Sequence, residues 1–281
     1  MTHDTSSPVP GGLARRGLAA AAMGSALLSA PQASAQPASP APAGPSRPPR
    51  PAGPPITVAM LVHPQMILLD LAGPQTILKI LGADIHLVGE TLDPVSTDVG
   101  INVTPTMTLA DCPRELDVLF VPGGLMGSIA TMGNTTVLDF LVDRGGRARY
   151  VTSVCTGGLV LAAAGLLRGY RATAHWGVAD LLPLMGAIRD PGRVVRDRNR
   201  LTGAGATSGL DFGLTLAALL RGQEAAERVQ LILEYSPQPP FRAGTPEEIG
   251  PDRLTVARAG RVWMDGQARQ ASLAAARRLG I

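Results

Sequence analysis

Lysine is almost missing from this chain: of 25 basic residues only Lys79 is not arginine, and 22 acidic residues bring the formal net charge down to +3. The arginines are dispersed and do not interleave with aromatics, which form only 3% of the residues, so a nucleic-acid partner has little support. The densest group, Arg168, Arg171, Arg193, Arg196, Arg198 and Arg200, is broken by Asp190 and Asp197 and reads as a solvated face. Cysteine is scarce too. Cys112 and Cys155 allow one disulfide at most, and no Cys/His spacing suggests a metal site. A phosphate loop is also missing, since Gly203-Ala204-Gly205 is neither a P-loop nor a full dinucleotide fingerprint, so no cofactor is expected. The longest uncharged run near the N-terminus, residues 17–30, is too short and too weakly apolar for a stable membrane span.

What is present divides into four stretches. Arg15-Arg16, the uncharged run at 17–30 and the small-residue site Ala33-Ser34-Ala35 follow the order of an export signal of the twin-arginine type. The expected mature protein begins about Gln36 and is periplasmic or secreted. Residues 36–55 are mostly Pro, Ala, Gly and Ser, a composition that buries no core and forms an extended linker. Residues 56–241 have the length of one α/β domain, and 242–281 form a C-terminal extension with helical composition over 267–279 and a turn expected at 263–266.

Within 56–241, strands and helices alternate. An apolar run without polar alternation at 56–62 reads as a buried parallel strand, 84–89 as a second strand, 117–121 as another buried strand and 149–154 as the strand leading to Cys155, with an excursion of short strands over 95–105. Helices are expected at 70–81, 135–145, 156–167, 207–221 and 223–234. The pattern implies an α/β fold: one mostly parallel sheet with helices on both faces. Ligands in such sheets bind beyond the carboxyl ends of the strands. Three features fall there: the segment leading to Asp70, the turn Pro122-Gly123-Gly124, and Cys155-Thr156.

Tyr150-Val151-Thr152-Ser153-Val154-Cys155-Thr156-Gly157-Gly158 carries the most chemistry. A β-branched run ends on a cysteine and enters a small-residue helix. Unpaired N–H groups and the helix dipole at that corner are expected to favour the Cys155 thiolate and make it a nucleophile. Gly157 and Gly158 leave room for a tight turn and for close approach of a substrate. The plainer reading is a buried core cysteine. Asp70 has one as well, a helix-start carboxylate aided by the dipole, and without further information that reading is the better one. Cys112, before Pro113, is incidental, and Asp211 is structural.

The segments Leu69-Asp70-Leu71-Ala72-Gly73-Pro74, Asp117-Val118-Leu119-Phe120-Val121-Pro122-Gly123-Gly124 and Ser153-Val154-Cys155-Thr156-Gly157-Gly158 resemble the ThiJ/PfpI superfamily. Three more are similar to its isonitrile hydratase branch: the stretches at 166–176 and 201–214, and Glu234-Tyr235-Ser236-Pro237-Gln238-Pro239-Pro240-Phe241. The resemblance implies a flavodoxin-like, class I glutamine-amidotransferase-like domain with a cysteine nucleophile elbow. It also implies Cys155 as nucleophile, Asp70 beside the sulfur, Thr156 as a functional neighbour, and a homodimer. The implied activity is addition of water to a small-molecule isonitrile through a Cys155 thioimidate. Asp70, held protonated by burial, would supply the proton. Backbone N–H groups of Gly123 and Gly124, with Gly157, are expected to cradle the substrate. His175, 20 residues after Cys155, is a secondary candidate. A cysteine hydrolase or glyoxalase-like enzyme of the superfamily, a regulatory sensor, and a redox scavenger using Cys155 are the alternatives.

Overall fold

The computed structural model describes residues 53–281; the expected export signal and all but the end of the expected proline linker lie outside the described residues. In chain order the elements are β1 (Thr57–Leu61), α1 (Leu68–Ile80), β2 (Asp84–Gly89), β3 (Val95–Ser96), β4 (Asn102–Val103), β5 (Met107–Thr108) and β6 (Val118–Val121). Then follow α2 (Leu125–Gly133), α3 (Thr135–Gly145), β7 (Tyr150–Val154), α4 (Gly157–Ala163), β8 (Arg171–Ala172), a 3₁₀ turn at Ala179–Met185, and β9 (Ile188–Arg189). The chain ends with β10 (Val194–Asp197), β11 (Arg200–Gly203), α5 (Ser208–Arg221), α6 (Gln223–Ile232), α7 (Pro246–Ile249), α8 (Pro251–Ala259) and α9 (Val262–Arg278).

Seven strands form one sheet in the order β10-β11-β7-β6-β1-β2-β5. Every pairing is parallel except the β10–β11 edge pair. The short, continuously apolar strands follow from burial on both faces. Successive side chains divide between two cores, because a strand turns alternate residues to opposite sides. Val58, Met60, Val118 and Phe120 join α1, α5 and α6, whereas Ala59, Leu61, Leu119 and Val121 join α2, α3, α4 and α9. The site stretches noted in the sequence follow the C-terminal ends of β1, β6 and β7, three adjacent strands.

Several expectations are corrected. Helix α2 was not expected, since Gly127 and Gly133 lower its propensity. Gly127 is required there, because a Cβ would collide with the Pro64 carbonyl and stand 2.7 Å from His63 Nδ1. Helix α4 stops at Ala163 rather than running on to 167; Gly165 at φ 76° lies in the left-handed region that ends helices. The turn expected at 263–266 is the first part of α9, with Gly266 in open space on its surface. Arg200 is not on a solvated face: it is 8% exposed and its Nε donates to the Leu166 carbonyl at 2.7 Å.

Candidate active site

Asp70 stands on the first turn of α1 and is fully buried. No side chain of the preceding residue caps this helix; the N–H of Leu68 instead donates to Asp98 Oδ1 at 2.9 Å. Asp98 sits between β3 and β4, and the same excursion holds the approach to Asp70 through Gln65 N–H to Ser96 O (2.8 Å) and Asp98 N–H to Met66 O (3.0 Å). One Asp70 oxygen, Oδ2, accepts from the Gly123 N–H at 2.8 Å. The other, Oδ1, is buried with no hydrogen-bonding partner among the described residues, and the Cys155 thiol neighbours the carboxyl. Burial pushes the Asp70 pKa up to about 7; the Gly123 N–H and the thiol pull it down, and Asp98 adds a smaller upward push.

Cys155 directly follows β7 with φ 56°, a left-handed conformation uncommon for a residue with a Cβ. The strain of such a position is of order 1–2 kcal/mol, and it persists because the surroundings fix the backbone. The Cys155 N–H donates to the Gly203 and Ala204 carbonyls at 3.1 and 2.6 Å, and its carbonyl accepts from the His175 N–H at 3.2 Å. The side chain is 2% exposed. The expected low-pKa thiolate is not what this corner makes. Burial first, and then the charge of Asp70, push the thiol up, against a lowering by the Thr156 N–H. Desolvation outweighs the helix-start donor, and the resting group is a thiol.

The Thr156 hydroxyl makes no hydrogen bond to the Asp70 carboxyl. Its Oγ1 accepts from the Gly124 N–H at 2.9 Å and pairs with Ser128 Oγ at 2.8 Å. Ser128, buried on α2, went unnoticed in the sequence because the helix carrying it did. The proposed glycine cradle therefore differs from expectation. The N–H groups of Gly123 and Gly124 are committed to Asp70 and Thr156, orienting two reactive side chains instead of facing a substrate. Gly123 has no room for a side chain: a Cβ would stand 2.6 Å from Thr156 N and 2.7 Å from both Asp70 Oδ2 and Cys155 Cβ. Gly157 packs on the carbonyls of Val121 and Pro122, so its missing Cβ serves the close approach of α4 to β6.

His175 lines the same cavity as Cys155. Its Nδ1 accepts from the Gly177 N–H at 3.1 Å, which leaves a ring proton on Nε2. Burial, and then the charge of Arg261, push its pKa down to about 4, against an upward pull from Asp265. At neutral pH it is a neutral donor, and it supports the elbow through its backbone. Cys112 is a separate buried free thiol. Asp211 pairs with Arg193 at 2.6 Å and accepts from Tyr235 at 3.0 Å. Among the described residues no group of three His, Cys, Asp or Glu side chains is arranged to hold a metal ion. The arrangement can move one proton between a buried thiol and a buried carboxyl, next to a cavity of about 390 Å³.

Comparison with known proteins follows the same residues. A model of the DJ-1/PfpI family matches residues 56–219. Isonitrile hydratase of Pseudomonas putida is 51% identical over 193 residues, covering 68% of this chain and 84% of that protein. Parkinson disease protein 7 homolog of Danio rerio is 29% identical over 141 residues, covering 49% and 75%. A solved ThiJ/PfpI family protein from Pseudomonas syringae superposes with a TM-score of 0.76 at 47% identity, over 78% of this chain and 91% of that one. Drosophila melanogaster DJ-1beta, at 24% identity and a TM-score of 0.60 over 65% of this chain and 99% of that one, shares the fold.

Proposed function

The chain belongs to the DJ-1/PfpI family, and from that premise we propose that it is an isonitrile hydratase, a lyase that adds water to an isonitrile and yields an N-substituted formamide. The observation that carries this reading is the buried pair of Asp70 carboxyl and Cys155 thiol, set in a chain that is 51% identical to such an enzyme. An isonitrile carbon is a poor electrophile until it gains a proton. The dyad with one proton is mostly thiol and carboxylate, and transfer from Sγ to Asp70 creates the minor form, thiolate beside carboxylic acid. Asp70 then protonates the isonitrile carbon while the sulfur bonds to it, giving a thioimidate, Cys155 S–CH=N–R, and restoring the carboxylate. That carboxylate takes a proton from water as the water oxygen adds to the same carbon. Asp70 passes that proton to the nitrogen, giving Cys155 S–CH(OH)–NH–R; as the C–S bond breaks, the hydroxyl proton passes through Asp70 to the sulfur, which restores the thiol and releases HC(=O)–NH–R.

The remaining groups act by position. Gly123 N–H fixes the Asp70 carboxyl, the Thr156 N–H supports the sulfur, and the Thr156 hydroxyl is locked by Gly124 and Ser128. A freely exposed, low-pKa thiol would suit a redox scavenger, whereas Cys155 meets small molecules only through the cavity it lines and burial pushes its pKa up. The test is formamide formation from a simple alkyl isonitrile, followed by mass spectrometry beside Cys155→Ala. Cysteine-dependent formamide is the expected result, and formamide from Cys155→Ala at the normal rate would overturn the proposal.

Two further properties belong to the same proposal. Arg15-Arg16 and the following uncharged run direct export, so replacing both arginines by lysine should retain the protein in the cytoplasm on cell fractionation. The enzyme works as a homodimer on a small-molecule substrate, with no nucleic acid involved, and sedimentation should give twice the chain mass.

A further inference from the structure

The proposed reaction holds the isonitrile carbon at Cys155, so the substituent on its nitrogen extends through the cavity that Cys155 lines. Small side chains, among them Ala174, Ala179 and Ala204, line that cavity together with Trp176. Another part of its lining comes from a stretch to which the sequence lent no role: Gly244, Thr245, Pro246 and Glu247. This stretch is fixed locally as a helix start. Thr245 Oγ1 accepts from the Glu248 N–H at 3.2 Å, and Glu248 Oε2 accepts from the Gly244 N–H at 3.1 Å, close to a capping box.

What holds the stretch against the domain lies further along the chain. Helices α7 and α8 pack on each other, and neither buries a side chain. At the far end of α8 two guanidinium groups stand over the Trp176 ring, Arg258 at 5.7 Å and Arg261 at 5.2 Å from its centre. The Arg261 guanidinium occupies the space that Gly177 leaves open, where a Cβ would stand 2.6 Å from Cζ, and its Nη2 bonds Asp265 Oδ1 at 2.8 Å. Helix α9 then anchors the assembly: Ala268 and Ala275 are fully buried, and Arg278 Nη2 donates to the Ala163 carbonyl at 2.9 Å.

We propose that Gly244, Thr245, Pro246 and Glu247, held to Trp176 by Arg258 and Arg261, form the wall that limits the size of the isonitrile substituent. The inference rests on the isonitrile reading for its substrate class and deepens it. Its test uses the full chain carrying Glu247→Trp or Arg261→Gln, and compares kcat/KM for benzyl isonitrile with that for methyl isonitrile. Glu247→Trp adds bulk at an exposed helical position and is expected to lower the benzyl-to-methyl ratio about tenfold. Arg261→Gln loosens the clamp and is expected to raise the ratio; an arginine of structural value alone would cost stability and leave it fixed. A ratio within about twofold of the unaltered chain in both variants overturns the proposal. A change confined to Glu247→Trp supports the wall and overturns the clamp. The same size ratio is read from alkylation of Cys155 by iodoacetamide and its N-benzyl derivative. If the unaltered chain makes no formamide, the isonitrile reading fails and the alkylation ratio still decides the wall.

Discussion

Asp70 meets opposite demands from folding and from chemistry. Its carboxyl is raised from 3.8 to about 7 by burial, so the folded protein holds that proton more tightly than the unfolded chain. Stability contributed by the protonated form is therefore complete below pH 3.8 and is lost as pH rises to about 7, with no further change from this group above that. Asp70→Asn should remove this loss, raising the melting temperature at pH 8 relative to the unaltered chain, with a smaller gain at pH 5, while turnover disappears. The chemistry needs the one-proton dyad, so kcat/KM should rise with pH to a plateau above about 7. A rate flat from pH 5 to 9 would contradict that assignment. Ser128→Ala deprives the Thr156 hydroxyl of one partner, at a cost of about 1 kcal/mol, and should lower kcat/KM about fivefold without loss of fold. At this scale the sequence was legible where a residue type is chemically distinctive. Cys155 could be picked out from its corner position, whereas Asp70 and Thr156 were marked only by the family resemblance; the structure places the Asp70 carboxyl beside the Cys155 thiol. The thiol's ionisation was misread because burial cannot be seen in a helix-start pattern, and Ser128 carries no local signal.

Elements were legible in proportion to their apolar continuity. Strands β1, β2, β6 and β7 and helix α3 fall within a residue or so of their expected ends, because short buried runs and a 3.6-residue period have few alternatives. Helix α2 was hidden by its glycines, which exist for a tertiary reason, and α4 was overextended because Gly165 looks like any small residue in an alanine-rich run. Glycine also sets how closely α1 and α5 pack: a Cβ on Gly213 would stand 2.6 Å from Ile77 Cδ1, and one on Gly209 would stand 3.3 Å from Pro74 Cδ. Since α1 carries Asp70, this spacing is part of the site. Gly213→Val should destabilise by about 1–3 kcal/mol through overpacking, measured by denaturant unfolding, and should lower activity as α1 shifts. A variant with unchanged midpoint and unchanged kcat would show that the α1–α5 distance does not position Asp70.

In the molecule as a whole, among the described residues no single helix is long and apolar enough to cross a membrane. The C-terminal stretch could be read for helical composition but not for location. Residues such as Ala268, Ser272 and Ala275 give no amphipathic warning, yet they are fully buried against the core face shared by α2 and α4. Removal of residues 242–281 should bare that face, lowering the melting temperature and the soluble yield. The account as a whole stands on one covalent event. Addition of the thiol to an isonitrile loses no atom, so the intact protein must gain the full mass of one isonitrile before formamide appears. Rapid-quench mass spectrometry of the unaltered chain mixed with an alkyl isonitrile should show that gain on the peptide carrying Cys155, decaying at the rate of formamide release and absent in Cys155→Ala. Formamide produced with no mass gain on Cys155, or a gain that persists while product accumulates, would contradict the mechanism.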